Sequence, residues 1–272
     1  MKHAIKKTAI IAALSTLSFG AAAQSFIEVE SVPSIIGLGV GFAPDYRGSD
    51  DYTGAVAPFG RYTFANSNRY VQLNANELTL NVLNSSAIRF GPVVNYVFGR
   101  DDDVDDPRVK QMAKIDGTVE VGVFGELAWI DRGNPRNRFL AGVTLLKDTG
   151  GESDGFRARF SARYFKQVSQ AIDFHLGGGI WYADGKWTQT YFGVNPQNVG
   201  TSGLPFYNAG SNGVNEYFMT VGGIMYFSRN WLGAAGLRIS QLAGDAKDSP
   251  IVAQQGDKTQ FIGGIGVAYM FR

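Results

Sequence analysis

The 272-residue sequence contains no cysteine, which excludes disulfide scaffolds, thiolate metal sites and cysteine nucleophiles. It also lacks a surplus of charge of one sign, because 25 basic residues face 24 acidic ones, so no nucleic-acid partner is expected. After the N-terminal segment there is no apolar run of about 18 residues, the minimum for a transmembrane helix. If the chain is embedded in a membrane, it must form a closed β-barrel.

Aromatic residues are abundant, with 19 Phe, 12 Tyr and 4 Trp, yet the mean hydropathy is only -0.08. Apolar side chains must therefore alternate with polar ones along the chain. This combination is typical of a membrane β-barrel, and the aromatic content excludes an intrinsically disordered chain.

The N-terminus has the layout of a secretory signal peptide. Three lysines precede a short apolar stretch over residues 8–20, and an Ala-x-Ala site ends at Ala23. An inner-membrane helical anchor is the alternative, but the stretch is short and is interrupted by Ser and Thr. Residues 1–23 are therefore predicted to be removed near Ala23, leaving residues 24–272 as an outer-membrane barrel.

The clearest two-residue alternation lies within residues 155–168. Phe160 and other apolar residues share one face, whereas Arg157, Arg159 and Arg163 share the other. A strand with three arginines on one face cannot lie in a dry two-sided core. One face is therefore predicted to contact lipid and the other to line a polar lumen.

The same pattern along the whole chain predicts an all-β, antiparallel, up-and-down transmembrane barrel of about twelve strands, with ten as the fallback. Short connections alternate with mostly longer ones, as periplasmic turns and outer loops do. The connection at residues 75–76 is too short for an outer loop, so an error is most expected in the third and fourth strands. A soluble β-sandwich is the alternative, but several segments exceed ten residues. The predicted strands cover residues 34–43, 55–65, 69–74, 77–83, 87–98, 116–130, 138–147, 155–168, 172–182, 215–227, 231–242 and 258–271.

The last predicted strand resembles the C-terminal aromatic signal that the outer-membrane assembly machinery recognises. Tyr269 and Phe271 continue an apolar row on one face, although Arg272 follows where such signals usually end in Phe. Aromatic residues near other strand ends predict interfacial girdles. The predicted girdle residues are Trp129, Tyr164, Phe165, Tyr182, Phe227, Trp231, Tyr269 and Phe271.

Three segments resemble the MipA/OmpV family of outer-membrane proteins: GVGFAPDYRGS at residues 39–49, LAGDAKDSPIV at 242–252 and FIGGIGVAYMF at 261–271. The resemblance extends over residues 37–271. It implies a location in the bacterial outer membrane. It also implies a scaffold role, because the founding member binds a membrane-bound lytic transglycosylase and a bifunctional penicillin-binding protein; other members are similar to porins or receptors. The motif residues in the two loops are Pro44, Tyr46, Gly48, Ser49, Asp248, Ser249 and Pro250.

Charges of both signs are predicted on the lumen face. Opposite charges on adjacent strands would pair and narrow the lumen. Two interpretations stay open: an anion-preferring constriction built on the arginine row, or a structural network that fills a small barrel. The predicted lumen residues are Arg61, Glu77, Arg89, Glu120, Glu126, Arg157, Arg159, Arg163, Asp173 and Arg238.

An enzyme is not expected. The mature chain has a single histidine, His175, near a predicted periplasmic turn and facing the lumen, without a serine or carboxylate motif. No cofactor and no metal site are predicted. The five carboxylates of residues 101–106 would suit Ca²⁺ or the divalent-bridged lipopolysaccharide layer, but their spacing is not that of a calcium loop. The Gly-, Ser- and Asn-rich residues 195–214 are either a binding loop over the barrel mouth or a mobile surface loop.

The leading hypothesis is a non-enzymatic scaffold whose short, basic periplasmic turns contact peptidoglycan-remodelling enzymes. The turn at residues 131–137, with Arg132, Arg136 and Arg138, is one such basic turn. The alternative is a channel or receptor for small solutes. The expected surroundings are outer-membrane lipid, lipopolysaccharide and the assembly machinery, with a lytic transglycosylase and a penicillin-binding protein as the implied partners.

Overall fold

A computed structural model describes residues 34–271. The predicted signal peptide, its cleavage near Ala23 and the terminal Arg272 lie outside the described residues. Twelve antiparallel strands form a closed barrel in which each strand pairs with its neighbours in sequence and the last pairs with the first. The predicted up-and-down barrel is confirmed, with twelve strands rather than ten.

The strands agree closely with the predicted segments. They are β1 Ser34–Pro44, β2 Tyr52–Thr63, β3 Tyr70–Asn74, β4 Glu77–Asn81, β5 Ile88–Val97, β6 Thr118–Ile130, β7 Arg138–Asp148, β8 Phe156–Gln167, β9 Ile172–Ala183, β10 Gly213–Tyr226, β11 Trp231–Leu242 and β12 Thr259–Phe271.

Side-chain burial alternates along the strands, as it must where one face meets lipid and the other the lumen. In β5, every second residue from Arg89 to Val97 is buried, and the residues between them are exposed. In β8, Phe160 is exposed and Arg157 is buried. One girdle prediction is wrong: Phe165 is buried inside the barrel, because Tyr164 takes the outward position and the next residue must point inward.

The two ends of the barrel differ in the length of their connections. Ser34 and Phe271 face each other at the end with short turns, so this end is the periplasmic one. Aromatic pairs mark both rims: Trp231 and Tyr269 on the periplasmic side, with ring centroids 5.2 Å apart, and Phe42 and Tyr52 on the outer side, 5.9 Å apart.

Three of the outer loops contain short helices, whereas the sequence pattern predicted only loops there. The loop after β9 holds α1 (Gly185–Phe192) and α2 (Pro196–Ser202), and the loop after β11 holds α3 (Gly244–Asp248) and α4 (Pro250–Ala253). The loop after β5 has a 3₁₀ turn at Val109–Gln111. Within residues 34–271, none of the helices is long and apolar enough to cross a membrane.

The short connection at residues 75–76 is real. Asn74 pairs with Glu77 in a tight hairpin, and Ala75 takes a positive φ of 51° to close it. β3 and β4 have only five residues each, so the β2–β3 ladder ends at Phe59. The outer half of β2 therefore extends past the end of the β2–β3 ladder. Its edge on that side lies beyond the β3–β4 hairpin.

We expect amide hydrogen exchange to alternate along this edge of β2. The Ala75 N–H donates to the Pro58 carbonyl at 2.9 Å, so even-numbered residues turn their backbone groups to the β3 side. Val56 and Gly54 should then exchange roughly tenfold faster than Ala55, whose backbone faces β1. NMR of the barrel in nanodiscs measures these rates. Equal protection along β2 would mean that another group covers the edge.

Candidate functional site

The outer mouth is closed by a cap, defined here as residues 45–51, 98–117, 184–212 and 243–258. The side chains of the cap and of the adjacent strand ends form the largest apolar cluster in the described residues, so the loops fold inward over the barrel. Segment 195–214 was predicted as a loop over the mouth or a mobile loop; residues 195–212 lie in this cap, and the last two residues begin β10. Buried members of the cluster include Tyr46, Val109, Met112, Trp187, Tyr191, Phe192, Leu204, Ile251 and Val252.

The two motif loops, about 200 residues apart in sequence, meet in the cap. The Tyr46 hydroxyl donates to the carbonyl of Gln255 at 3.0 Å and lies 3.3 Å from that of Ile251. Ser49 forms an isolated β-bridge with Gly256. The Ser249 hydroxyl donates to the Phe192 carbonyl at 2.6 Å, which ties the second motif loop to α1.

The remaining motif residues have different environments. Pro44 ends β1 and is buried, and Pro250 begins α4 and is buried as well. Asp248 is exposed and lies 3.5 Å from Lys247. The Gly48 N–H donates to the Gln260 side chain at 3.0 Å, which joins the first motif loop to β12. Most of these residues thus hold the cap together.

Gly48→Ala should loosen the cap without unfolding the barrel. Gly48 has φ +95°, and a Cβ there would lie 2.4 Å from Cγ2 of Val252. The left-handed conformation alone costs about 1–2 kcal/mol, and the overlap adds to it. Limited proteolysis should cut the cap faster in this variant. Gly54→Ala is the matched control, because a Cβ there meets nothing within 4 Å; equal cleavage of both variants would contradict the prediction.

Arg47 connects the cap to the lumen. Its guanidinium lies 5.1 Å from the ring centroid of Trp187 and 3.8 Å from the carboxylate of Glu216 on β10. Burial, followed by the nearby charge of Arg157, lowers the pKa of Arg47 to about 10, against the opposing effect of Glu216. The side chain stays positively charged at neutral pH and forms part of the seal between cap and lumen.

Directly below the cap, a buried ion pair in the lumen bridges β8 and β6, on either side of β7. Arg157 on β8 donates two hydrogen bonds to Glu120 on β6, one of them at 2.8 Å, and both side chains are 1% exposed. Asn95 donates to the same carboxylate at 2.8 Å. The guanidinium stacks on Trp181 and Trp187, at 4.5 and 4.7 Å from their centroids.

At mid-height, further pairs surround a small cavity. Arg159 lies 2.9 Å from Glu77, and Glu126 accepts from Arg89 at 2.8 Å and also from Arg163. The cavity has a volume of about 80 Å³, enough for several water molecules. Its lining includes Gln72, Glu77, Glu126, Arg159, Arg163 and Arg238, the last of which is paired with Glu216.

The periplasmic end of the lumen is also filled. Arg61 stacks on Tyr70 at 3.7 Å, and Arg138 stacks on Phe165 at 4.0 Å. Asp173 pairs with Arg136 at 2.8 Å. Beside them, an apolar cluster fills the wall of β1, β2 and β10–β12.

The turn at residues 131–137 is therefore less basic on its surface than predicted. Arg138 is buried in the lumen, and Arg136 folds back onto Asp173, so of the three arginines only Arg132 is exposed. Spacing along the chain could not show this, because the partners, Phe165 and Asp173, lie about 30 residues away.

His175 is buried in the lumen against the ring of Phe165, with centroids 5.6 Å apart. Its Nδ1 has no hydrogen-bond partner in residues 34–271. A general base needs a group that orients it and a nucleophile within reach. The contact that the structure shows for His175 is packing against the Phe165 ring.

The acidic segment of residues 101–106 has contacts that the sequence pattern did not indicate. Asp45, from the first motif loop, accepts a hydrogen bond from the backbone N–H of Asp105 at 2.7 Å. Burial raises the pKa of Asp45, and the carboxylates of Asp105 and Asp51 raise it further. Asp102 pairs with the exposed Lys114 at 2.5 Å. Two outer loops thus share one acidic surface.

The predicted assembly signal lies at the periplasmic end of β12. Tyr269 is exposed on the lipid face beside Trp231. Phe271→Ala should lower the amount of heat-modifiable protein in the outer membrane severalfold, since the aromatic row at the interface is interrupted. Deleting Arg272 should leave that amount nearly unchanged. The opposite order of effects would show that the final strand signal is wrongly assigned.

The closed barrel, its apolar outer face and its charged interior define an outer-membrane β-barrel protein. The chain belongs to the family described as "MltA-interacting protein MipA", whose model matches residues 36–271. No curated protein matches the chain.

Several solved structures of outer-membrane barrels are similar to the chain. The NanC porin has a TM-score of 0.46 and 8% identity, and the match covers 88% of this chain and 100% of that one. An outer-membrane channel from Pseudomonas putida F1 has a TM-score of 0.47 and 12% identity, covering 90% of this chain and 97% of that one. The translocator domain of the autotransporter NalP from Neisseria meningitidis has a TM-score of 0.41 and 9% identity, covering 90% and 91%.

Proposed function

We propose that this protein is a non-enzymatic, non-conducting outer-membrane scaffold that binds peptidoglycan-remodelling enzymes through its periplasmic turns. The observation that carries the proposal is the filled lumen. The cap, the ion pairs of Arg157 and Arg159 and the stacked arginines near the periplasm lie in the lumen at successive levels, around a cavity of about 80 Å³. A barrel filled in this way presents its surfaces, rather than a passage, to other molecules.

The family description supports the nature of the partner. "MltA-interacting protein" names an interaction with another protein, and the resemblance implies a lytic transglycosylase together with a penicillin-binding protein that synthesises murein. Enzymes that act on peptidoglycan are reached from the periplasmic end of the barrel.

The periplasmic end offers exposed basic residues for such contacts. Arg69, Arg132 and Arg229 lie in three different turns, and Lys166 lies at the end of β8; all four are exposed. The outer cap instead carries more acidic than basic residues. An acidic surface on the partner would therefore be attracted to the periplasmic end and repelled by the cap.

Affinity purification from detergent-solubilised envelopes tests the proposal. The wild-type protein should co-purify a lytic transglycosylase and a murein synthase. The double variant Arg69→Glu/Arg132→Glu should lose most of both at low salt, because charge reversal at an exposed interface changes steering and register. The matched control, Arg108→Glu/Lys110→Glu in the cap, should retain them.

Planar-bilayer recording separates this function from the alternative, a channel or receptor for small solutes. The purified barrel should give no steady open conductance. A stable open pore, together with the absence of both enzymes from the purification, would overturn the scaffold proposal and favour the channel.

A further inference from the structure

The lipid-facing surface has an apolar groove on its periplasmic half. The groove has a volume of about 690 Å³ and runs across β10, β11, β12 and β1. The groove reaches the periplasmic rim, since Phe227, which lines it, follows the last residue of β10 at the short turn. It lies outside the barrel, away from the charged lumen and from the cap.

The groove exists because small residues replace large ones on the outward face. Gly223, Gly233 and Ala235 form its floor, while Met225 and Ile265 stand on either side. These walls are strongly exposed: Met225 is 50% and Ile265 63% exposed. A surface with this shape can contact an elongated apolar group from its floor and from both sides.

The turn beside the periplasmic end of the groove carries a positive charge. Phe227 lies over Gly233, where a Cβ would be 2.7 Å from its ring, and Arg229 follows two residues later in the turn. The turn is well ordered by hydrogen bonds: the Ser228 hydroxyl accepts from the N–H groups of Asn230 and Trp231, at 3.2 and 3.1 Å. Arg229 itself is exposed at the tip, at the level of lipid headgroups.

We propose that this groove binds one phospholipid of the periplasmic leaflet, with an acyl chain along Gly223, Gly233 and Ala235 and the headgroup phosphate at Arg229. The apolar floor suits the chain, and the guanidinium matches the negative phosphate, which Arg binds through paired N–H groups. This site is independent of the scaffold function, because it faces the lipid rather than the periplasm.

Native mass spectrometry of the purified barrel with added phosphatidylglycerol tests the site. The wild-type protein should keep one phosphatidylglycerol molecule after all others are removed by collisional activation. Ala235→Phe fills the groove and should lower the retained fraction roughly tenfold or more, since excluding even one CH₂ group weakens binding about fourfold. Arg229→Ala should remove the preference for phosphatidylglycerol over phosphatidylcholine.

Two controls keep the result interpretable. Ala162→Phe adds the same ring to the lipid face of β8, and Arg132→Ala removes a cation from another turn; both should retain the lipid. Heat-modifiable migration verifies that each variant is folded. Equal retention by Ala235→Phe and Ala162→Phe would overturn the proposal. A dimer mass that Ala235→Phe abolishes would overturn it as well, because the occupant would then be a second copy of the chain.

Discussion

Glu120→Gln is expected to destabilise the barrel by about 3–5 kcal/mol, because it leaves the Arg157 guanidinium buried without a compensating charge. Both partners are 1% exposed, so water cannot replace the lost carboxylate. Unfolding by guanidinium chloride in detergent micelles measures the loss. The double variant Glu120→Leu/Arg157→Leu should recover much of it, since removing both charges also removes their desolvation cost.

The exposed pair in the cap provides the comparison for this experiment. Lys114 and Asp102 are also in contact, but their side chains are 57% and 60% exposed. Asp102→Asn should therefore cost much less than Glu120→Gln, because water screens this pair. If Glu120→Gln costs no more than Asp102→Asn, the lumen pair is hydrated, and the filled interior on which the scaffold function rests is incorrect.

Phe160→Arg is expected to cost about 2–4 kcal/mol, because it places a charge at mid-height on the lipid face. Phe160 is 49% exposed and lies near the middle of β8, opposite Val143 and Ile180 of the neighbouring strands. The same unfolding measurement in lipid bilayers reports the change. Barrel unfolding that is insensitive to this substitution would mean that the two faces of β8 are assigned the wrong way round.

Tyr164→Arg is the matched control on the same strand and the same face. Tyr164 is four residues nearer the periplasmic rim, where an arginine side chain reaches the headgroups and the cost falls to about 0–1 kcal/mol. The difference between the two variants therefore measures depth in the bilayer, independently of the general effect of introducing an arginine.

The sequence alone was sufficient for the membrane and the barrel, and it favoured twelve strands over ten. Each strand must pair its backbone hydrogen-bonding groups within a closed sheet and point alternate side chains toward lipid and lumen. The alternation of apolar and polar residues is therefore visible in short windows such as Arg157 to Arg163. Even the anomalous connection at residues 75–76 was visible, because a hairpin is a local feature. The inward positions of Glu120 and Arg159 follow from the same two-residue period.

Only the tertiary structure decided what fills and closes the barrel. The contacts responsible join residues that are 27 to more than 200 positions apart. They are the contact of Tyr46 with Gln255, the ion pairs of Arg89 and Arg163 with Glu126, and the stacking of Arg138 on Phe165. Two-residue periodicity assigns a side chain to a face but carries no information about height or partner across the lumen. Those depend on the stagger of the closed sheet and on loop packing, which are properties of the whole chain.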